Sequence, residues 1–416
     1  MLYNDSSSPT FDGLGISPRL LEILTRLNFI TPTPIQHKII SPAIEGKDVI
    51  GIAQTGTGKT LAFGIPMIQR IGKFQTKGLI LLPTRELALQ VDEAFRMVGK
   101  SLGLRTAVLI GGAAMKPQIT AISRDPHVII ATPGRTIDHL EQKTLSLNEI
   151  SILVLDEADR MLDMGFAPQI KKILHHVPKD RQTMLFSATM PDDIVRMAMQ
   201  NMKTPFRVEI ARPGTASEQV EQELFVVKRD QKVALLSKLL LQYHGTVLIF
   251  SRTKYGARHI MKAIQSMGHT AAEIHSNRSL AQRRAALDGF KSGKTRELVA
   301  TDIASRGIDV AGIELVINYD IPDNPGDYVH RIGRTGRAGQ KGRAITFATP
   351  EQRVEVRDIE RLMQSGIAIS ELPDLPSVPG VSVEHTSASG ARRQSSVRPG
   401  GRRPPRSGRG YSPRAR

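Results

Sequence analysis

The sequence predicts an α/β protein of two tandem domains, each a doubly wound parallel sheet, followed by a disordered C-terminal tail. Three observations carry this. Short β-branched runs end in Gly- or Thr-rich loops and are each followed by a helical pattern; the rhythm restarts after Pro213; apolar periodicity ends near Pro373. In the first half the runs are Asp48–Ala53, Leu79–Leu82, His127–Ala131 and Ile152–Leu155. In the second half they are Thr246–Phe250, Glu297–Ala300 and Leu315–Tyr319. Strands alternating with helices imply parallel sheets, whose ligands gather at the carboxyl ends of the strands. Residues 202–218 carry two prolines, a glycine and small polar residues, so the inter-domain linker is expected there, centred on 211–218. The expected domains are then 1–210 and 219–372, with 373–416 as the tail.

Composition narrows the function. Of 416 residues, 40% are hydrophobic, enough for two sizeable cores. Cysteine is absent, which excludes disulfides, thiolate metal sites and cysteine nucleophiles. No apolar run reaches bilayer length, and Met1–Thr10 has neither a basic n-region nor an apolar h-region. A cytoplasmic protein with no membrane partner is expected. The net charge of +17 points to a polyanionic partner, nucleic acid first. Aromatic residues make up only 4% and tryptophan is missing, so phosphates are a better handle than rows of stacked bases. Nine arginines and no acidic residue fall between Ala391 and Arg416; removing them leaves +8, so core and tail share the basic character. Such a tail cannot bury enough apolar surface to fold, and is expected to hold nucleic-acid phosphates or to act as a solvated, solubilising segment.

The most informative motif is Ala53-Gln54-Thr55-Gly56-Thr57-Gly58-Lys59-Thr60, between a strand and a helix. Glycines let successive backbone N–H groups face phosphate oxygens, and the helix N-terminus adds its positive end. Lys59 reaches the β- and γ-phosphates, and the Thr60 hydroxyl can ligate Mg²⁺. The run Ile152–Leu155 ends in Asp156-Glu157-Ala158-Asp159. One carboxylate at that position can hold Mg²⁺ and the next can orient or deprotonate the attacking water; read alone, the same residues make an acidic N-cap. Upstream, the Gln36 amide has the donor–acceptor pair that reads adenine, and Phe11, eighteen residues before Phe29, could stack on a purine. A polar turn and a core phenylalanine would look the same.

In the second half, His330-Arg-Ile-Gly-Arg-Thr-Gly-Arg337 gathers three arginines about two glycines, suited to clamping a phosphoryl transition state. Thr301 to Asp309 supplies hydroxyl and carboxylate groups for ribose and phosphate, or simply a capped helix start. With phosphate loop and arginines on different domains, hydrolysis requires closure.

Together these segments resemble the DEAD-box RNA helicases of superfamily 2, from about Phe11 to Met363, and the compact core with its tail looks most like a bacterial RhlE-like branch. The resemblance implies two RecA-like domains, ATP with Mg²⁺, and RNA as partner, with ribosomal or RNA-decay proteins as candidate protein partners. It implies a nucleotide site of Phe11, Phe29, Gln36, Gln54, Thr55, Gly56, Thr57, Gly58, Lys59, Thr60 and Asp309, with Thr60 and Asp156 on the metal. Lys59, Asp156, Glu157, His330, Arg334 and Arg337 take the catalytic roles, the last two as arginine fingers. Asp159, Ser187 and Thr189 couple hydrolysis to RNA work. RNA contacts are implied for Pro83, Thr84, Arg85, Gly111, Gly112, Thr132 and Arg135, and for Arg252, Arg283 and Thr301 in the second domain. Three positions depart from the pattern: Asn28 stands where a glycine is usual, Leu280 where relatives often have glutamine, and Ser305 where alanine is usual. The implied activity is local separation of short duplexes, or remodelling of RNA–protein complexes, driven by domain closure. A DNA translocase and an RNA clamp are the rival readings.

Overall fold

The computed structural model describes residues 9–54, 56–210, 220–305, 310, 312–336 and 341–375. Two seven-stranded sheets, parallel throughout their described pairings, organise the chain. In the first lobe the strands are β1 Val49–Ile52, β2 Lys77–Leu81, β3 Thr106–Leu109, β4 Val128–Ala131, β5 Ile150–Leu155, β6 Gln182–Ser187 and β7 Phe206–Glu209. In the second they are β8 Val220–Val226, β9 Val247–Phe250, β10 Ala271–Ile274, β11 Glu297–Ala300, β12 Leu315–Asn318, β13 Gly342–Ala348 and β14 Ala368–Ser370. The spatial orders are β3-β4-β2-β5-β6-β1-β7 and β10-β11-β9-β12-β13-β8-β14.

Each central strand is apolar on both faces because helices cover both. In β5, Ile152 and Val154 enter one apolar cluster while Leu153 and Leu155 enter the other, as a two-residue period requires. The second lobe repeats this with its own pair of clusters. Both lobes belong to a single compact unit.

One boundary is narrowed and one corrected. Of the segment 202–218, residues 206–209 form β7, which pairs in parallel with β1 at the sheet edge and so lies inside the expected first domain 1–210, not in a linker. Phe206-Arg-Val-Glu alternates apolar and polar as a strand would, but Pro205 just ahead of it and the Pro, Gly and small polar residues after it read as loop; only Val208 of the strand is buried. The tail was expected from residue 373, yet Leu375 packs partly buried on the second lobe's core. Residues 211–219 and those after 375, which hold the rest of the expected linker and tail, lie outside the described residues.

Candidate active site and nucleic-acid groove

Strand β1 ends at Ile52, and the chain turns through Ala53–Gly58 into the helix Lys59–Phe74. Gly56 and Gly58 take left-handed backbone, at φ +88° and +89°, which turns successive amides inward. A Cβ at Gly58 would also clash with Gln36 Nε2. The loop is held by its own polar groups. Lys59 Nζ donates to the Ala53 carbonyl at 2.9 Å, and Thr57 Oγ1 to the Gln54 carbonyl at 2.7 Å. Thr60 follows Lys59 on the helix and is half-buried.

Gln36 ties this loop to the helix Pro34–Ile44. Its Nε2 donates to the Gly58 carbonyl at 3.0 Å, and its Oε1 accepts from the Thr33 amide at 2.9 Å, closing a capping box. The amide expected to read adenine is therefore also the brace of the phosphate loop. Phe11, expected against a purine, is buried in the first lobe's core, and Phe29 packs against the same cluster. Asn28 adopts φ +61°, the conformation a glycine would supply and one asparagine tolerates. Thr55, Asp309 and Arg337 lie outside the described residues, as does the Ser305 side chain.

β5 delivers the acidic cluster. Asp156 is 2% exposed, and burial pushes its carboxyl up to about 6 against the pull of the Lys59 ammonium. Glu157 sits at φ +52°, a rare backbone state for a non-glycine residue. Both its oxygens accept from one terminal nitrogen of buried Arg160, at 3.2 and 3.0 Å. Asp159 faces the neighbouring strand β6. Its Oδ2 accepts from the Ala188 amide at 3.1 Å, and from the Thr189 amide and hydroxyl at 2.9 Å each. Its own amide donates to Ser187 Oγ at 3.2 Å. The acidic strand end and the Ser187–Thr189 turn are thus one hydrogen-bonded piece.

In the second lobe the helix Pro325–Ile332 presents His330 and Arg331, and Arg334 follows. Arg331 grips Asp302 through Nε at 2.5 Å and a terminal nitrogen at 2.7 Å, 5.0 Å above the Phe250 ring; that arginine builds the lobe. Arg334 is 2% exposed, and its Nε donates to the His330 carbonyl at 3.2 Å. A cavity of about 10 Å³, room for one water, is lined by Arg160 of the first lobe together with Asp302, His330, Arg331 and Arg334 of the second. Close by, a Cβ on Gly333 would come within 4.0 Å of Gln54 Oε1. Phosphate loop, acidic cluster and arginine segment meet where the lobes meet.

A second, larger cavity of about 380 Å³ lies along the carboxyl ends of β2, β3 and β4. Pro83, Thr84, Arg85, Gly111, Thr132 and Arg135 line it from the first lobe, and Ser276 and Arg283 from the second. Thr84 caps its helix by accepting from the Leu87 amide at 3.3 Å, so the cap and the phosphate-binding reading share one geometry. Gly112, at φ +71°, lies so close under Arg85 that a Cβ would clash with the guanidinium. Arg135 donates to the Ala113 carbonyl at 3.0 Å and pairs with Asp138 at 3.2 Å. Gly112, Arg252 and Thr301 are not in this wall. Arg252 instead bonds the Ile321 carbonyl and Asp323, at 3.1 and 3.2 Å. Arg283, expected to hold phosphate, pairs across the lobes with Glu86 at 2.8 Å, and burial pulls its guanidinium down while Glu86 opposes.

Sequence reasoning missed Arg160 and Glu86, two first-lobe residues that reach toward the second lobe. The three-residue spacing from Glu157 to Arg160 was a usable signal; Glu86 has no local signal, because its partner is remote in the chain. Among the described residues no helix is long and apolar enough to cross a membrane.

Comparison with known proteins agrees with this geometry. Residues 33–197 match the DEAD/DEAH box helicase family, and residues 231–339 match the helicase conserved C-terminal domain. The chain is 42% identical over 369 residues to the DEAD-box ATP-dependent RNA helicase CshA of Bacillus cereus, covering 88% of this chain and 70% of that one. It aligns with S. cerevisiae Dbp5 bound to RNA and ADP BeF3 at a TM-score of 0.79 and 30% identity, over 88% of this chain and 95% of that one. With the DEAD-box helicase Mss116 bound to ssRNA and UDP-BeF the TM-score is 0.81 at 27% identity, over 88% and 81%. Two RecA-like lobes, a phosphate loop joined to an acidic strand end, and this degree of identity make the chain a member of the DEAD-box ATP-dependent RNA helicase family.

Proposed function

We propose that ATP hydrolysis in this enzyme is carried out by one pocket assembled from both lobes, on residues 1–210 and 219–372, and that closure of the lobes on RNA drives local strand separation. The observation that carries the reading is the cavity in which Arg160, bonded to Glu157, meets His330 and Arg334. The turn 54–58 and the N-terminus of the helix Lys59–Phe74 receive the triphosphate. Lys59 leaves the Ala53 carbonyl for the β- and γ-oxygens. Glu157, oriented by Arg160, accepts a proton from the attacking water. Arg334 and Arg337 stabilise charge on the transferred group, and ADP and phosphate leave when the lobes part.

The residues fit a Mg²⁺ ion. Asp156 is a buried carboxylate whose proton affinity is raised by desolvation, so a cation that restores its charge is favoured. Among the described residues no group of three or more His, Asp or Glu could form a self-sufficient metal cage, which suits an ion shared with substrate phosphates. Thr60 and Asp156 would hold it, and when bound it neutralises phosphate charge.

The groove from Pro83 to Arg135 is assigned to the RNA backbone: helix starts and arginines at strand ends are phosphate donors. Binding there across both lobes bends the strand, which disfavours pairing with its complement. Asp159 transmits the state of the acidic cluster to Ser187 and Thr189. We place the enzyme in the cytoplasm, in keeping with its lack of cysteine; assignment to an RhlE-like branch rests on the tail's composition. Lys59→Ala or Glu157→Gln should abolish RNA-stimulated ATPase activity in a phosphate-release assay. Normal turnover in either variant would defeat the assignment, and normal ATPase with no separation of a short duplex would favour a clamp.

A further inference from the structure

We infer that Leu280 is a positioning residue for lobe closure: an apolar contact of the second lobe with the first that lowers the RNA concentration needed to reach the hydrolytic arrangement. The inference rests on the closure reading above and adds the element that sets its balance.

The helix Leu280–Lys291 opens with a capping box, Ser279 accepting from the Gln282 amide and Gln282 reaching back. Its first turn is thereby a rigid projection rather than a frayed end. Leu280 and Arg283, three residues apart, lie on one face of that turn. Both face the first lobe. Arg283 pairs with Glu86 at 2.8 Å, and Leu280 packs partly buried on the apolar cluster of the first lobe, not on that of its own. The two contacts differ in how they respond to RNA. Arg283 is a cation in the groove wall, so a phosphate can compete with Glu86 for it. Leu280 offers RNA no hydrogen bond and no charge, and its burial is gained whenever the lobes come together. A contact present only in the closed arrangement shifts the equilibrium toward closure whether or not RNA is bound. RNA then supplies less of the closing free energy, and half-maximal stimulation comes at a lower RNA concentration.

The chain's lack of cysteine allows a direct test in the full-length protein. Lys171→Cys and Ser266→Cys, both exposed and on different lobes, carry a donor and an acceptor dye. Energy transfer is read with a non-hydrolysable ATP analogue in the absence of RNA, and ATPase activity is titrated separately with a single-stranded RNA oligonucleotide. Leu280→Ala and the size-conserving Leu280→Gln should both lower the closed fraction. They should raise the RNA concentration for half-maximal ATPase by roughly three- to tenfold, with kcat at saturating RNA unchanged. Leu280→Met, which keeps an apolar side chain, should restore both values. Because Leu280 is half-exposed, folding should be unaffected, and the thermal midpoint is measured for each variant. Unchanged closure and unchanged RNA dependence in Ala and Gln variants of normal midpoint would overturn the inference while leaving the function intact. A wild-type chain whose ATPase ignores RNA would instead overturn the function itself.

Discussion

Arg160 shows how one side chain joins two tasks. It is 1% exposed, holds the Glu157 carboxylate, and lines the cavity it shares with His330 and Arg334. Removing one partner of a buried ion pair costs about 3–5 kcal/mol, because the other charge stays buried without it. Arg160→Met should therefore lower the unfolding free energy from a urea titration by an amount in that range, seen as a lower midpoint at unchanged slope, and depress ATPase even at a temperature where the variant is folded. Equal midpoints would mean that the pair contributes nothing to folding. Asp159 works differently: three donors from 188–189 converge on one of its oxygens, so it fixes a turn instead of meeting substrate. The types and spacing of these acidic residues are plain in the sequence. The Arg160–Arg334 proximity is not, because it depends on how two separately folded sheets are set together.

The element that matters most is the turn from β1 into the helix Lys59–Phe74. Gly58 combines a left-handed backbone with a position where a Cβ would clash with the Gln36 side-chain amide. An alanine there costs roughly 1–2 kcal/mol in backbone strain alone and displaces the Gln36 brace. Gly58→Ala should weaken ATP binding at least about tenfold in a nucleotide titration, with the far-ultraviolet circular dichroism of the lobes retained. Strand β11 offers a pH prediction. Glu297 is fully buried, burial pushes its carboxyl up to about 7, and Arg296 only partly offsets that. Arg296 and the His269 ring face it at 3.3 and 3.1 Å. Since the folded-state value is raised, the native state binds the proton more tightly, and stability falls as pH climbs from about 4.5 to 7. The thermal midpoint of the wild type should drop across that window; Glu297→Gln should flatten the profile there and raise the midpoint at pH 8. Of these elements, the buried strands were legible because helices on both faces make them continuously apolar. Edge strand β7 was not, because its four alternating residues are too short a run to stand out between Pro205 and the Pro- and Gly-containing stretch that follows.

Over the whole molecule, charge decides the partner and lobe arrangement decides the output. Nine of the formal +17 charges sit between Ala391 and Arg416. Each phosphate contact made by that segment should contribute about 0.7 to the slope of log affinity against log salt on a single strand. Ending the chain at Ser389 should weaken RNA binding at low salt and flatten that slope by several units; identical slopes would mean that the tail only solubilises. ATPase at saturating RNA should survive the truncation, since every described residue of the two-lobe pocket lies before it.

By itself the sequence determined the chemistry. A phosphate loop, an acidic strand end and an arginine segment are each built from contiguous residues, so their backbone geometry follows from local glycine placement, strand ends and helix starts. The tertiary structure alone decided which of these groups meet. The sheet orders, the reach of Arg160 into the second lobe, the pairing of Arg283 with Glu86 and the seat of Leu280 on the other lobe's core are contacts between residues far apart in the chain. Their partners are selected by packing of whole faces, a long-range property to which no local pattern is committed.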